Sequence, residues 1–338
     1  MKILIWNMGR AIGDGIMSTG YLKIIKQIYP EAIIDIFCTK LHKIAYFNNP
    51  YVNQFYIFKT MKKRKMNVTR LKILMNPLCQ LSNLLKARKE KYDIIIDTGS
   101  INLFSNRLML SIIARPHTKI FGMYSEIIPI EKQQKLHKFY TDVYKSCAYE
   151  FLGKDIKEQA KYDLYPAKEC IEKAVNYFNN FHNENNNAKI VIFNGEGSDR
   201  TISSDRIITS INELLENDEN IYIFFLGFKG YGNKYIDICN KINSKKVNIT
   251  YKTTIEDTTA LLQNADLLIS VDTALIHIAS GVGTKIIEII SDGLKNYWFG
   301  WPRFVEYKII KNKKDYYDLD GYSDDELIQA YNDLMIKE

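Results

Sequence analysis

Short apolar runs alternate with amphipathic segments along the whole chain. The first run, Lys2–Trp6, ends in a glycine-containing turn, and Ile16–Ile28 then repeats apolar residues at helical spacing up to Pro30. The alternation continues and predicts strands over 32–38, 52–58, 93–97 and 119–121 and helices over 71–89 and 103–114. Strands that alternate with helices predict a parallel, doubly wound sheet.

The pattern restarts after a polar, structureless stretch at 182–188. Strands are predicted over 189–193, 221–226, 247–250, 266–271 and 285–290, with helices over 204–215, 233–242, 255–263 and 273–280. The chain is therefore predicted to be an α/β protein with two Rossmann-like doubly wound domains that face a central cleft. We place the first domain at 1–165, a linker region at 166–188, the second domain at 189–322 and a C-terminal helix at 323–338.

Composition agrees with this organisation. The 338 residues are 46% hydrophobic and 25% charged, which is typical of a globular protein long enough to split into two cores. No apolar run reaches the roughly 18 to 20 residues that cross a bilayer, and no signal-peptide core follows Met1, so a cytoplasmic protein is expected. The five cysteines form no CxxC pair, which argues against a disulfide framework and a zinc site.

Charge divides the chain into two unlike halves. Residues 1–165 contain 27 Lys and Arg against 13 Asp and Glu, whereas the remainder contains 19 against 26. The basic half is expected to face an anionic partner such as nucleic acid, an anionic membrane surface or a phosphorylated saccharide. No nucleic-acid-binding motif accompanies it, so nucleic acid is disfavoured. The densest basic cluster, Lys62–Lys65, fits a solvated loop and a binding surface equally well.

The turn after the first strand contains the first candidate for chemistry. Its glycines do not fit G-x-G-x-x-G, so a nicotinamide or flavin cofactor is not expected. Asp14 stands at the start of the next helix, where an acid is favoured by the helix dipole alone. The flanking Gly13 and Gly15 would also let another molecule approach, and a carboxylate at this position could accept a proton from a hydroxyl group.

Two turns of the second half contain candidates for anion binding. Gly195 and Gly197 would free the backbone to accept an anion, and Arg200 supplies a forked cation, although an ordinary surface turn explains the same composition. Further on, a buried strand runs into Asp272-Thr273 at a helix start, where backbone N–H groups favour a phosphate. His277 follows Thr273 by four residues and therefore lies on the same helix face.

Taken together, these motifs resemble the ADP-heptose:lipopolysaccharide heptosyltransferase family, glycosyltransferase family 9, of the GT-B architecture. The likeness covers nearly the whole chain, and order and spacing make it specific. In the first half it rests on Lys2-Ile-Leu-Ile, Gly13-Asp14, Tyr29-Pro30-Glu-Ala-Ile-Ile-Asp35, Asn49-Pro50-Tyr-Val and Lys91-Tyr-Asp-Ile-Ile-Ile-Asp97. In the second half it rests on the glycine-rich turn ending in Arg200, on Lys252-Thr253-Thr254, and on Asp272-Thr273-x-x-x-His277-x-Ala279.

The resemblance implies an inverting, metal-independent transfer of a sugar from a nucleoside-diphosphate donor to a saccharide acceptor held by the first domain. Asp14 would be the general base, and Gly13 and Gly15 would lie on the acceptor side. Arg200, Thr201, Asp272, Thr273, Ala274 and His277 would contact the donor. No cofactor beyond the donor is implied. The expected acceptor is a lipopolysaccharide core, O-antigen or capsule saccharide, with peripheral contact to the cytoplasmic face of the inner membrane.

Two departures from the family pattern leave the donor open. Ala274 stands where the family commonly has glycine, and the segment 281–298 lacks the customary Gly-Pro-Thr. ADP-heptose is the family default, and another sugar or base remains an alternative. Two other functions also remain open: a nucleotide-sugar epimerase, and a non-catalytic nucleotide-sugar-binding protein of the same architecture.

Overall fold

The chain was analysed as a computed structural model, which describes residues 1–7, 12–58, 77–97, 104–122, 161–197, 200–228, 232–291, 304–313 and 318–336. The described residues form two compact units, one ending at Asp163 and the other beginning at Leu164. Each unit is built on its own parallel sheet. The basic cluster Lys62–Lys65 and the end of the segment 281–298 lie outside the described residues.

The first unit contains a five-stranded parallel sheet. Its strands are β1 (Lys2–Asn7), β2 (Ile33–Cys38), β3 (Val52–Ile57), β4 (Ile94–Asp97) and β5 (Lys119–Gly122), in the spatial order β3-β2-β1-β4-β5. Its described helices are α1 (Ile12–Met17), α2 (Gly20–Ile28), α3 (Lys40–Lys43), α4 (Pro77–Lys89) and α5 (Phe104–Ile113). The core on one face includes the buried aromatic rings of Trp6, Phe37 and Phe58, whose centroids are 4.5 to 5.0 Å apart.

The helix predicted over 16–28 is two helices instead. Between α1 and α2, the Ser18 hydroxyl donates to the Gly15 carbonyl and the Thr19 hydroxyl donates to the Ile16 carbonyl, both at 2.7 Å. Their backbone N–H groups bond the same two carbonyls. Serine and threonine side chains that bond nearby backbone compete with the regular helical pattern, so the helix is interrupted here although its apolar periodicity continues.

The second unit contains a six-stranded parallel sheet in the order β11-β10-β9-β6-β7-β8. Its strands are β6 (Lys189–Asn194), β7 (Ile221–Gly227), β8 (Val247–Lys252), β9 (Leu267–Val271), β10 (Lys285–Ser291) and β11 (Tyr307–Asn312). Its helices are α6 (Lys168–Glu184), α7 (Ser204–Asn217), α8 (Gly232–Ile242), α9 (Ile255–Gln263), α10 (Ala274–Val282) and α11 (Asp324–Met335). The sequence did not predict β11, because its few apolar residues are interrupted by lysines at the sheet edge.

The predicted linker region 166–188 contains the 17-residue helix α6. Tyr177, Phe178 and Phe181 recur at helical spacing on this helix, and all three rings lie within 5.9 Å of the ring of Phe224 on β7, measured between centroids. Burial of these aromatic side chains against the sheet fixes the helix on the second unit. The polar residues at its end concealed this pattern in the sequence.

Two acidic residues of α9 form polar contacts with α6 and with the residue before it. Glu256 accepts a hydrogen bond from the Ala167 backbone N–H at 2.6 Å, at the start of α6. Asp257 forms an ion pair with Lys173 Nζ at 3.0 Å, and that ammonium lies 3.6 Å from the centroid of the Tyr251 ring. Asp257 also completes a capping box with Thr254.

Removal of the Asp257 charge is expected to destabilise the second unit in a pH-dependent way. Burial alone would raise the pKa of Asp257, but hydrogen bonds from the Thr254 N–H and hydroxyl and from Lys173 lower it overall. A lowered folded-state pKa stabilises the fold at neutral pH, and this contribution is lost as the pH falls through that pKa. Asp257→Asn should cost about 1.5 to 3 kcal/mol near pH 7.

Urea unfolding of Asp257→Asn and wild type, between about pH 7 and pH 3, measures this effect. The free-energy difference between them should shrink toward the acid end. Asp205→Asn is the control, because that carboxylate is 90% exposed and its ion pair with Lys241 spans 3.4 Å. A pH-independent difference for Asp257→Asn would contradict the prediction.

The C-terminal helix α11 packs on its own unit, against α7, β10 and β11. Arg206 of α7 donates two hydrogen bonds to the Asp324 carboxylate, at 2.8 and 2.7 Å, and stacks on the ring of Tyr322. The predicted C-terminal helix is therefore docked on the second unit. Among the described helices, none combines the length and apolar character required to cross a membrane.

Candidate functional site

The strand order of the second unit brings two predicted anion-binding turns to one sheet edge. β6 and β9 are parallel neighbours, with Asn194 opposite Ser270. The loop after β6 is here called the β6 loop; its described residues are 195–197 and 200–203, and it contains Arg200. The turn after β9 leads into α10. Because both segments leave the carboxyl ends of adjacent strands, their side chains can meet although they are about 70 residues apart in sequence.

An ion pair joins these two segments. Arg200 Nη1 donates to Asp272 Oδ2 at 2.7 Å, and the two side chains are only 14% and 16% exposed. A charge-assisted hydrogen bond of this length fixes the direction of the guanidinium. The negative Asp272 carboxylate would repel a phosphate. Its contact with Nη1 therefore suits a role in orienting Arg200 rather than in binding the phosphate directly.

A buried hydrogen-bond network lies beside the ion pair, at the carboxyl ends of β6 and β9. Asn194 Nδ2 donates to the Ser270 hydroxyl and to the Glu196 carbonyl, both at 3.0 Å. The Ser270 hydroxyl in turn donates to the Val271 carbonyl at 2.8 Å. Asn194 and Ser270 are both buried. Satisfied buried polar groups hold neighbouring segments in one arrangement, so this network fixes the β6 loop against the end of β9.

The start of α10 presents backbone donors at the same edge. Thr273 is the N-cap, with extended backbone angles, and its hydroxyl accepts from the Leu275 N–H at 3.3 Å. Ala274 is the first residue of the helix and is partly exposed. His277 lies one turn further along and is 7% exposed. The first-turn N–H groups and the positive end of the helix dipole suit a bound phosphate here.

The β6 loop is a packed turn rather than an open anion nest. The Gly197 N–H already donates to the Arg200 carbonyl at 2.8 Å, and a Cβ at Gly197 would lie 2.9 Å from that oxygen. The predicted role of Gly197 in accepting an anion is therefore wrong; glycine is required by the close backbone approach. Lys234 of α8 holds the loop by an ion pair with Glu196 and a hydrogen bond to the Ile202 carbonyl.

The chain segment before α11 holds the other side of the β6 loop. The Leu319 N–H donates to the Thr201 carbonyl at 3.2 Å, and the Ser203 N–H donates to Asp320 Oδ1 at 2.7 Å. Thr201 itself is exposed, next to Arg200. Lys234 and Asp320 could not be predicted from the sequence, because each reaches the loop from a distant segment without a local motif.

In the first unit, the predicted catalytic carboxylate lies on α1. Asp14 is in the first turn of this helix and is partly exposed, whereas its neighbours Gly13 and Gly15 are buried. A network beneath the helix fixes its position. Asn7, the last residue of β1, donates to the Ser18 hydroxyl at 2.8 Å and to the Tyr46 hydroxyl at 3.1 Å. These bonds tie the end of β1 to the residue that follows α1.

Gly15 faces the protein interior rather than an open approach route. A Cβ at this position would lie 2.9 Å from the Ala45 Cβ and 3.3 Å from the His42 carbonyl oxygen. The close packing of α1 on residues 42–45 therefore explains this glycine. Its predicted acceptor-side role has no support from this geometry.

Gly15→Ala is expected to destabilise the first unit by about 1 to 3 kcal/mol, the usual cost of overpacking. Denaturant unfolding measures the change. Adding Ala45→Gly removes the nearest clashing atom and should restore part of the loss. Equal stability of Gly15→Ala and wild type would show that α1 moves without cost.

The two units, each with a parallel sheet and helices, match the GT-B fold of solved glycosyltransferase structures. Residues 212–302 match the family model for glycosyltransferase family 9 (heptosyltransferase), so the predicted resemblance is confirmed. No curated protein sequence matches the chain. The family match, together with the fold, supports glycosyltransferase activity.

Solved structures with similar folds include three glycosyltransferases. A glycosyl transferase family 9 protein from Veillonella parvula is 14% identical, with a TM-score of 0.75 over 100% of this chain and 97% of its own. ADP-heptose lps heptosyltransferase II from E. coli is 13% identical, with a TM-score of 0.70 over 99% of each chain. E. coli heptosyltransferase WaaC with ADP is 15% identical, with a TM-score of 0.67 over 98% and 97%.

Proposed function

We propose that this chain transfers a sugar, with inversion and without a metal, from a nucleoside-diphosphate donor to a saccharide acceptor. ADP-heptose is the first candidate donor. The proposed acceptor is a phosphorylated lipopolysaccharide core, O-antigen or capsule saccharide held at the cytoplasmic face of the inner membrane. The observation that carries the proposal is the ion pair of Arg200 with Asp272, which directly precedes the N-cap of α10. Asp272 and α10 lie within residues 212–302, which match the family model.

The donor site is proposed to act on the leaving group. As the bond between the sugar C1 and the diphosphate breaks, negative charge grows on the phosphate oxygens. Arg200 and the first N–H groups of α10 would stabilise that charge. Thr201, Thr273, Ala274 and His277 would complete the donor contacts, and Asp272 would orient Arg200. WaaC, whose structure contains ADP, supports ADP as the first nucleotide to test.

The proposed catalytic base is Asp14. Its carboxylate would take the proton of the acceptor hydroxyl as the oxygen attacks C1 from the face opposite the diphosphate. One bond forms at C1 while the bond to the leaving group breaks, so the anomeric configuration inverts. Asp14 lies in a helix held by buried hydrogen bonds, which supports a fixed direction of attack.

Titration calorimetry with ADP, UDP, GDP and CMP tests the donor assignment directly. Selective ADP binding is expected, with Arg200→Ala as a variant that weakens it. Selective binding of another nucleotide would replace the proposed donor base. Binding of none of them would overturn the donor site, because a free nucleoside diphosphate retains the groups that Arg200 and α10 are proposed to hold.

A transfer assay with ADP-heptose and a dephosphorylated or phosphorylated core saccharide then tests the reaction. Turnover should continue in excess EDTA, and NMR of the product should show an inverted anomeric centre. An altered sugar nucleotide formed without acceptor would instead identify an epimerase. Donor binding without any change of donor or acceptor would identify a non-catalytic protein.

A further inference from the structure

Helix α4 of the first unit has one buried face and one exposed leucine face. Its buried face carries Gln80, Leu84 and Ala87. Its exposed face carries Leu78, Leu81 and Leu85, which are 79%, 41% and 45% exposed. The spacing of three and four residues places these leucines in one row along the helix.

The helix is already fixed by its other side. Arg88 Nη1 donates to the carbonyls of Ile112 and Ala114, both at 2.7 Å, and Asn83 Nδ2 donates to the Ile57 carbonyl at 2.8 Å. These bonds attach α4 to β3 and to the end of α5. These bonds fix the orientation of α4 with its leucine row on the exposed side of the helix.

Two exposed lysines lie on the same helix as the leucine row, and the sequence around that helix is basic. Lys86 and Lys89 are exposed on the same helix. Residues 59–89 contain ten Lys and Arg and no Asp or Glu. A helix with exposed leucines beside lysines, in a segment free of acidic residues, has the composition of a helix that lies in the interface of an anionic membrane.

We propose that the leucine face of α4, formed by Leu78, Leu81, Leu85, Lys86 and Lys89, docks on the surface of an anionic lipid bilayer. The leucines would enter the boundary between headgroups and acyl chains. The lysine ammonium groups would remain at the level of the lipid phosphates, because their flexible aliphatic stems allow the charge to stay in water. This surface rests on the membrane-held acceptor of the proposed function and specifies which face of the first unit meets the bilayer, whereas it does not depend on the donor site.

Charge favours a bilayer over a second copy of this chain as the occupant. In a symmetric contact, the same face meets itself, so Lys86 and Lys89 would approach their own counterparts. Residues 59–89 carry no acidic side chain, and the next residue, Glu90, is already paired with Lys2 at 2.8 Å. Anionic phosphates supply the missing opposite charge, and acyl chains accept the leucines.

Vesicle co-sedimentation of the full chain tests the proposal. The probes are phosphatidylcholine vesicles with and without about 30% phosphatidylglycerol. The test variant combines Leu78→Gln, Leu81→Gln and Leu85→Gln. The matched control is Ile236→Gln on α8, because Ile236 is also a helical apolar residue and is 47% exposed. The triple variant is expected to bind anionic vesicles about tenfold more weakly or worse, and the control should bind like wild type.

A second variant reports insertion itself. The emission of Leu81→Trp should shift to shorter wavelength on anionic vesicles and be quenched by brominated acyl chains. Unaltered vesicle binding of the triple variant, or absence of wild-type binding, would overturn the proposal. Self-association that the triple variant abolishes, seen by light scattering without vesicle binding, would assign the face to a second copy. Nucleotide affinity is expected to remain unchanged in the triple variant, which separates this test from the donor assignment.

Discussion

Asp14→Asn is expected to lower kcat by about 100-fold or more, the scale of a lost general base. The amide retains the shape and part of the hydrogen bonding of the carboxylate but has no basicity. Donor binding should stay nearly unchanged, because the proposed donor groups belong to the second unit. Steady-state kinetics and nucleotide calorimetry on the same preparations measure the two effects.

Thermal stability separates a base from a merely structural acid. In Asp14→Asn, kcat should fall while the melting temperature stays close to that of wild type. Glu31→Gln is a suitable control, since Glu31 is an exposed acid of the same unit. Full activity of Asp14→Asn would remove this residue from the mechanism, and parallel loss of activity and thermal stability would assign it a structural role.

The sequence predicted the central strands of both sheets well because each of them is a short, nearly continuous apolar run that is buried on both faces. The run at 267–271, for example, is fully buried as β9. The helix α6 within the predicted linker region was not predicted, for a physical reason. The apolar face of α6 is narrow and aromatic, and tertiary packing on Phe224 rather than local composition decides that the segment is helical.

Candidate residues were predictable where a local pattern marks them, but their partners were not. Asp272-Thr273 stands at a strand-to-helix turn, which the sequence shows directly. Its contact with Arg200 depends on β6 and β9 being neighbours, a consequence of strand order that no local pattern contains. Asp320 reaches Ser203 for the same kind of reason, through the path of the chain after β11.

Arg200→Ala is expected to weaken nucleoside-diphosphate binding by about 10- to 100-fold. A hydrogen bond to a charged group contributes about 1.5 to 3 kcal/mol, and each factor of ten in affinity corresponds to about 1.4 kcal/mol. Calorimetry with the nucleotide that binds wild type measures the loss. Lys241→Ala is the control, because it removes an exposed cation of the same unit. Unchanged affinity of Arg200→Ala would contradict the donor site.

Asp272 should act through Arg200, and a double-mutant cycle can show this. Asp272→Ala releases the guanidinium and should weaken binding, whereas Asp272→Asn keeps an oxygen acceptor for Nη1 and should weaken it less. If Asp272 only positions Arg200, then adding Asp272→Ala to Arg200→Ala should cause no further loss. Additive losses would mean that Asp272 contacts the donor independently. Tighter binding by Asp272→Ala would mean that its negative charge mainly repels the phosphates, so the same cycle distinguishes orientation from repulsion.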